Sequence, residues 1–164
     1  MASGSTLLTF LAQDGQPTSS GAATIDTVNS QLVDSFPAGA VSDITFEGVL
    51  PRNYSGGGLT VTLWWMAASA TANTPQWEVS FERHQAGTSN LASDNYAAAQ
   101  VANPTAPGTF GIISATAIPF TNGAQMASIA AGESFRMRVR RNGTAGGDTM
   151  TGAAQLLAVE IRET

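Results

Sequence analysis

Residues 59–66, LTVTLWWM, and residues 77–82, WEVSFE, decide the fold. In the first run Leu59, Val61, Leu63 and Trp65 recur at every second position, while Thr60, Thr62, Trp64 and Met66 take the other side. That is the period of a β-strand, whose successive side chains point to opposite faces. In the second run Trp77, Val79 and Phe81 alternate with Glu78, Ser80 and Glu82. Joined by the small polar stretch 67–76, the two runs predict a β-hairpin whose large apolar rows line the core. Burying one such Trp or Phe stabilises a fold by about 1.5 to 3 kcal/mol.

Outward from this pair the same pattern recurs. Residues 6–12 form a short apolar opening strand, and the turn formers of 13–21 follow it. Residues 22–28 alternate weakly, and 29–40 reads as irregular chain closed by Pro37 and Gly39. In 41–50, Ile44, Phe46 and Gly48 share one face and Asp43, Thr45, Glu47 and Val49 the other. The glycines of 51–58 supply a turn. Residues 95–101 and 110–120 are expected as strands, and 122–131 spaces Met126, Ile129 and Ala130 as one or two helical turns would. In 134–141, Phe135, Met137 and Val139 oppose Arg136, Arg138 and Arg140; in 155–162, Leu157, Val159 and Ile161 are expected inward. Many short strands with almost no helix predict an all-β antiparallel sandwich of eight main strands, with at most one short helix.

The 164 residues fit one domain, read as an N-terminal strand or arm over 1–21 and the sandwich over 22–164. Only 12% of residues are charged, against about 25% ordinarily, which makes for a neutral surface. All seven basic residues are arginines and the net charge is −5, a balance that argues against nucleic acid or an anionic membrane as a partner. With no cysteine, disulfide scaffolds, thiolate metal sites and thiol nucleophiles are excluded. Residues 1–16 lack the basic and apolar regions of a signal peptide, so synthesis in the cytoplasm is expected.

The arginine row selects a topology. A jelly roll would place 134–141 between 41–50 and 77–82, setting Arg136, Arg138 and Arg140 between Asp43 and Glu47 on one side and Glu78 and Glu82 on the other. Cross-strand charge pairs each contribute about 0.2 to 1 kcal/mol, so the fold is expected to be a jelly-roll β-sandwich and the row a solvated ladder rather than a binding strip.

Chemistry is harder to find. His84 is the single histidine and no Ser-His-acid pattern accompanies it; Asp148 stands alone in a glycine-rich loop. The GGG of 56–58 lacks the spaced glycine and lysine of a phosphate loop. No catalytic residue, cofactor or metal is therefore expected, and the chain is read as a non-enzyme. Trp64 and Trp65 must face opposite ways, so one enters the core and the other meets a partner subunit, a loop or a ligand. Trp64, with Tyr54 and Tyr96 in nearby loops, is the candidate interface or ligand contact. Asn53 and Asn142 lie in N-x-S/T sequons, which matter only in a secretory pathway.

The runs FEGVLPRNYSGGGLTVTLWWMA (46–67), WEVSFER (77–83), NGAQMASIAAGESFRMRVRR (122–141) and AQLLAVEIRET (154–164) resemble small β-sandwich proteins of tailed-phage structural gene sets. The resemblance implies a virion protein of the capsid-decoration or cement type. Such a protein forms homotrimers, binds the major capsid protein on the outer shell and stabilises the assembled state. The alternative it implies is a receptor- or carbohydrate-binding module of a tail fibre or baseplate. On the cement reading, 1–21 is the arm that reaches a neighbour.

Overall fold

The computed structural model describes residues 4–69 and 72–164. Eleven strands, rather than eight, make two antiparallel sheets. They are β1 (Thr6–Leu11), β2 (Gln16–Pro17), β3 (Thr24–Val28), β4 (Gln31–Phe36), β5 (Val41–Val49), β6 (Leu59–Ala67), β7 (Trp77–His84), β8 (Gln100–Ala102), β9 (Ser114–Phe120), β10 (Ser134–Asn142) and β11 (Ala154–Glu163). One sheet runs β3-β4-β11-β6-β9, with β1 also on β11; the other runs β2-β5-β10-β7-β8. This is a jelly-roll sandwich, and β10 lies between β5 and β7 as the charge pattern required.

The alternating rows meet between the sheets. Leu59, Val61, Leu63 and Trp65 of β6, Trp77, Val79 and Phe81 of β7, and Phe135, Met137 and Val139 of β10 are all fully buried. The β6–β7 hairpin is corrected: the two strands belong to opposite sheets. Trp65 and Trp77 therefore meet across the core in an edge-to-face pair, ring centroids 5.9 Å apart and planes at 64°, with Phe36 edge-on to Trp77 at 5.0 Å.

Several expected boundaries move, each for a physical reason. Residues 31–36, read as irregular, form β4 and pair with both β3 and β11. Strand β11 carries an irregularity between Leu156 and Ala158, so Leu156 enters the core and Leu157 is only half-buried. Past the bulge Val159 and Ile161 point inward as expected. The segment 122–131 holds a single 3-10 turn, Ala124–Met126, because Ala127 and Ser128 take left-handed backbone angles and end it. A second such turn spans Ala12–Asp14. The strand expected from residue 110 begins at Ser114, and that expected over 95–101 shrinks to Gln100–Ala102.

The segment 1–21 is built into both sheets over 6–17 instead of extending as an arm: β1 pairs with β11, Phe10 is buried, and β2 pairs with β5. Residues 1–3 lie outside the described residues. Asp148, alone in the sequence, is held two-pronged by Arg141 at 2.7 and 2.8 Å. Arg141 is fully buried and also donates to the carbonyls of Phe36, Met150 and Gly152, which fixes the 143–153 loop.

Candidate ligand groove

Strand register puts Arg136, Arg138 and Arg140 on the outer face of the β2-β5-β10-β7-β8 sheet. Arg136 lies between Glu47 and Glu82, Arg138 between Thr45 and Ser80, and Arg140 between Asp43 and Glu78. The ladder is uneven. Arg136 donates to Glu82 at 2.8 Å and to Asp94 at 2.6 Å. Arg140 donates through Nε and Nη2 to Asp43 at 3.1 and 2.8 Å. Glu78 instead accepts from Gln76 and Asn142, at 3.0 and 2.8 Å, and Glu47 is exposed and makes no ion pair among the described residues. Glu82 and Asp43 are only 3% and 7% exposed. The row is thus partly buried, not the freely solvated ladder expected.

What covers it is loop. After β7 the chain returns along the open edge of that strand, with the Ala97 amide donating to the Phe81 carbonyl. This brings Tyr96 over the arginines, its ring centroid 4.2 Å from the Arg138 guanidinium carbon and 5.0 Å from that of Arg136. Burial, ahead of the charges around it, pushes the Tyr96 phenol up to about 12. Residues 95–99 touch β7 only through that one Ala97 bond rather than a regular ladder, so the expected strand is short. On the opposite side Gln16 to Gly21 make a second wall, fastened where Thr18 donates to Asp43 at 2.6 Å and Thr45 to the Gln16 carbonyl at 3.2 Å.

Between the walls lies a groove of about 510 Å³, floored by Asp43, Thr45, Glu47 and the three arginines and closed by Asp94 and Tyr96. Its lining is mainly guanidinium, carboxylate and hydroxyl groups with one aromatic ring, beside Gln16, Pro17 and Val41. Such a surface can meet a polyhydroxylated ligand with paired donors and acceptors while a ring supplies an apolar face.

The three aromatic candidates do not come together. Tyr96 lines the groove. Trp64 faces outward from the other sheet, 42% exposed beside Ala115 and Ala158. Tyr54 is buried, its hydroxyl donating to the Gly57 carbonyl and lying 3.9 Å from the Met126 sulfur. The sequence reading missed Asp94, Gln16 and Thr18. Asp94 carried a signal, two residues before Tyr96 in a polar loop; the 16–21 wall carried none, because only the crossing of the chain between sheets brings it to β5. Among the described residues the buried Nε2 atom of His84 has no partner, and no serine or carboxylate is hydrogen-bonded to this residue. Among the described residues no group of three His, Asp or Glu is placed to hold a metal ion.

No family model and no curated protein matches the chain. Solved structures do. The chain is similar to a family 35 carbohydrate binding module from Clostridium thermocellum, with a TM-score of 0.59 at 12% identity over 96% of this chain and 98% of that one. It is similar to a carbohydrate binding module of Cellvibrio mixtus lichenase 5A in complex with cellotriose, with a TM-score of 0.57 at 13% identity over 98% and 99%. A xylan-binding domain from Paenibacillus barcinonensis matches with a TM-score of 0.53 at 14% identity over 92% of each chain. At these identities the likeness establishes the jelly-roll fold.

Proposed function

We propose that the chain is a non-catalytic binding module for saccharides and that the groove of the β2-β5-β10-β7-β8 sheet is its ligand site. The observation that carries this reading is the groove itself. It is an open channel of ligand size in which Tyr96 and fixed guanidinium and carboxylate groups stand between two polar walls. Planar charged groups held by one another lose little conformational freedom on binding a sugar, and that preorganisation turns weak hydroxyl contacts into useful affinity. The fold shared with carbohydrate binding modules supports the reading, which is the alternative named from sequence.

The test is a glycan array followed by calorimetric titration of the best ligand. Tyr96→Ala is expected to weaken binding about tenfold, the equivalent of about 1.4 kcal/mol, with a cooperative thermal transition retained. No binding to any glycan would end the proposal.

A second reading has its own observation. Trp64, with exposed Phe110, Ile112 and Ile113 in the loop entering β9, gives the opposite sheet an apolar surface. Self-association or attachment to the major capsid protein, the cement role, would use that face and leave the groove open. Incubation with emptied capsids, followed by sedimentation, tests it.

A further inference from the structure

We propose that the saccharide bears a carboxylate and that Arg138 is the residue that selects it. The inference rests on the saccharide reading above and narrows it to acidic sugars.

The unevenness of the ladder carries the argument. Of the three arginines on the groove floor, the outer two are neutralised: Arg136 by Glu82 and Asp94, Arg140 by Asp43. The central one is not. Its cross-strand partners are Thr45 and Ser80, which carry no charge. Among the described residues Arg138 forms neither an ion pair nor a hydrogen bond, and its guanidinium is held only against the Tyr96 ring. Guanidinium stays protonated at every working pH and has five N–H donors in a planar fork that matches a carboxylate two-pronged. Stacking on Tyr96 fixes the plane of that fork without using its donors. Half-buried in a groove, such a cation has lost part of its hydration and lacks a counterion from its own chain.

The carboxylates nearby do not fill this role. Asp43, Asp94 and Glu82 are committed to the outer arginines, and Glu78 to Gln76 and Asn142. Glu47 faces the groove unpaired, but it stands opposite Arg136, one step diagonal from Arg138, and is exposed. Its repulsion of an acidic ligand acts through water and is screened, whereas the contact at Arg138 is direct. The hydroxyls of Thr18, Ser19 and Ser20 on the facing wall are then placed to meet the hydroxyls of the same sugar.

The test is calorimetric titration of the full chain with galacturonate, glucuronate and mannuronate oligosaccharides, each beside its carboxyl-reduced counterpart. At least one acidic member is expected to bind tenfold or more tightly than its reduced form, with affinity falling as salt is raised. Arg138→Gln is expected to erase that preference, Arg138→Lys to keep part of it, and Glu47→Gln to strengthen acid binding about twofold. Thermal melts of the variants control for folding, and retention of the preference in folded Arg138→Gln overturns the assignment. Equal or better binding of the reduced sugars, or binding only of unrelated neutral glycans, overturns the inference and leaves the saccharide reading standing. Equal binding of a triglutamate peptide overturns the choice of sugar as the carboxylate's bearer, and no glycan binding at all overturns both.

Discussion

Asp34 is fully buried in β4, both carboxylate oxygens lack a partner among the described residues, and burial pushes its carboxyl up to about 7. The unfolded chain releases this proton near pH 4, so between about pH 4 and 7 the folded state holds more protons than the unfolded one. The group's contribution to stability is therefore greatest at low pH and is lost as pH rises through about 7. Asp34→Asn removes the proton from the balance. At pH 7.5 the variant is expected to be about 2 to 4 kcal/mol more stable than wild type, and near pH 4.5 the gap should largely close, read from urea midpoints. Glu133 and Glu163, held below the usual carboxylate range by Arg83 and Ser55, act in the opposite sense but are common to both proteins. Sequence alone gave no sign of Asp34, because a carboxylate in a short strand reads as solvent-facing. Tyr54 misled for the converse reason: a tyrosine between Asn53 and Ser55 in a glycine loop looks exposed, yet its ring goes inside and its hydroxyl turns back to Gly57.

At the scale of elements, period-2 alternation located β5, β6, β7 and β10 and their inward faces, because each packs one face against the core for its whole length. It failed where the backbone departs from that geometry. The bulge in β11 moved Leu157 off the core, β4 carries Asp34 in place of an apolar residue, and 95–99 runs beside β7 without a regular ladder. The glycines before β6 show how two requirements hide behind one letter. Gly56 takes a φ of +92°, which favours glycine, while Gly58 is needed for space: a Cβ there would stand 2.6 Å from the Phe120 carbonyl oxygen. Gly57 has neither constraint, its nearest neighbour being 3.5 Å away. Gly58→Ala is expected to cost about 1 to 3 kcal/mol and Gly57→Ala less than about 0.5 kcal/mol, compared by thermal unfolding.

For the molecule as a whole, the charge rows of three separated segments specified the neighbours of β10 before any contact was visible. The groove was not legible, because its walls come from 16–21 and 94–96 and only the fold brings them together. The two sheets also divide the two proposals, with the sugar site on one outer face and the apolar Trp64 face on the other. If that second face mediates the homotrimer implied by the phage resemblance, light scattering is expected to give about three times 16.8 kDa, with groove binding unaffected. A mass of 16.8 kDa at every concentration would withdraw the trimer and leave the groove reading in place. The central positions of β10 and β11 bear on how the protein is made. Each sheet is held together at its middle by a strand that emerges from the ribosome after nearly all of its neighbours, and β1 waits for the same late partner. Loop closure over such separations is slow, so β1 waits unpaired and the pairs β3–β4, β6–β9, β2–β5 and β7–β8 keep open edges until β10 and β11 are made. A surface so poor in charge must survive that interval without sticking to its copies, which makes rapid completion of the chain, or a chaperone that shields it, a condition of good yield.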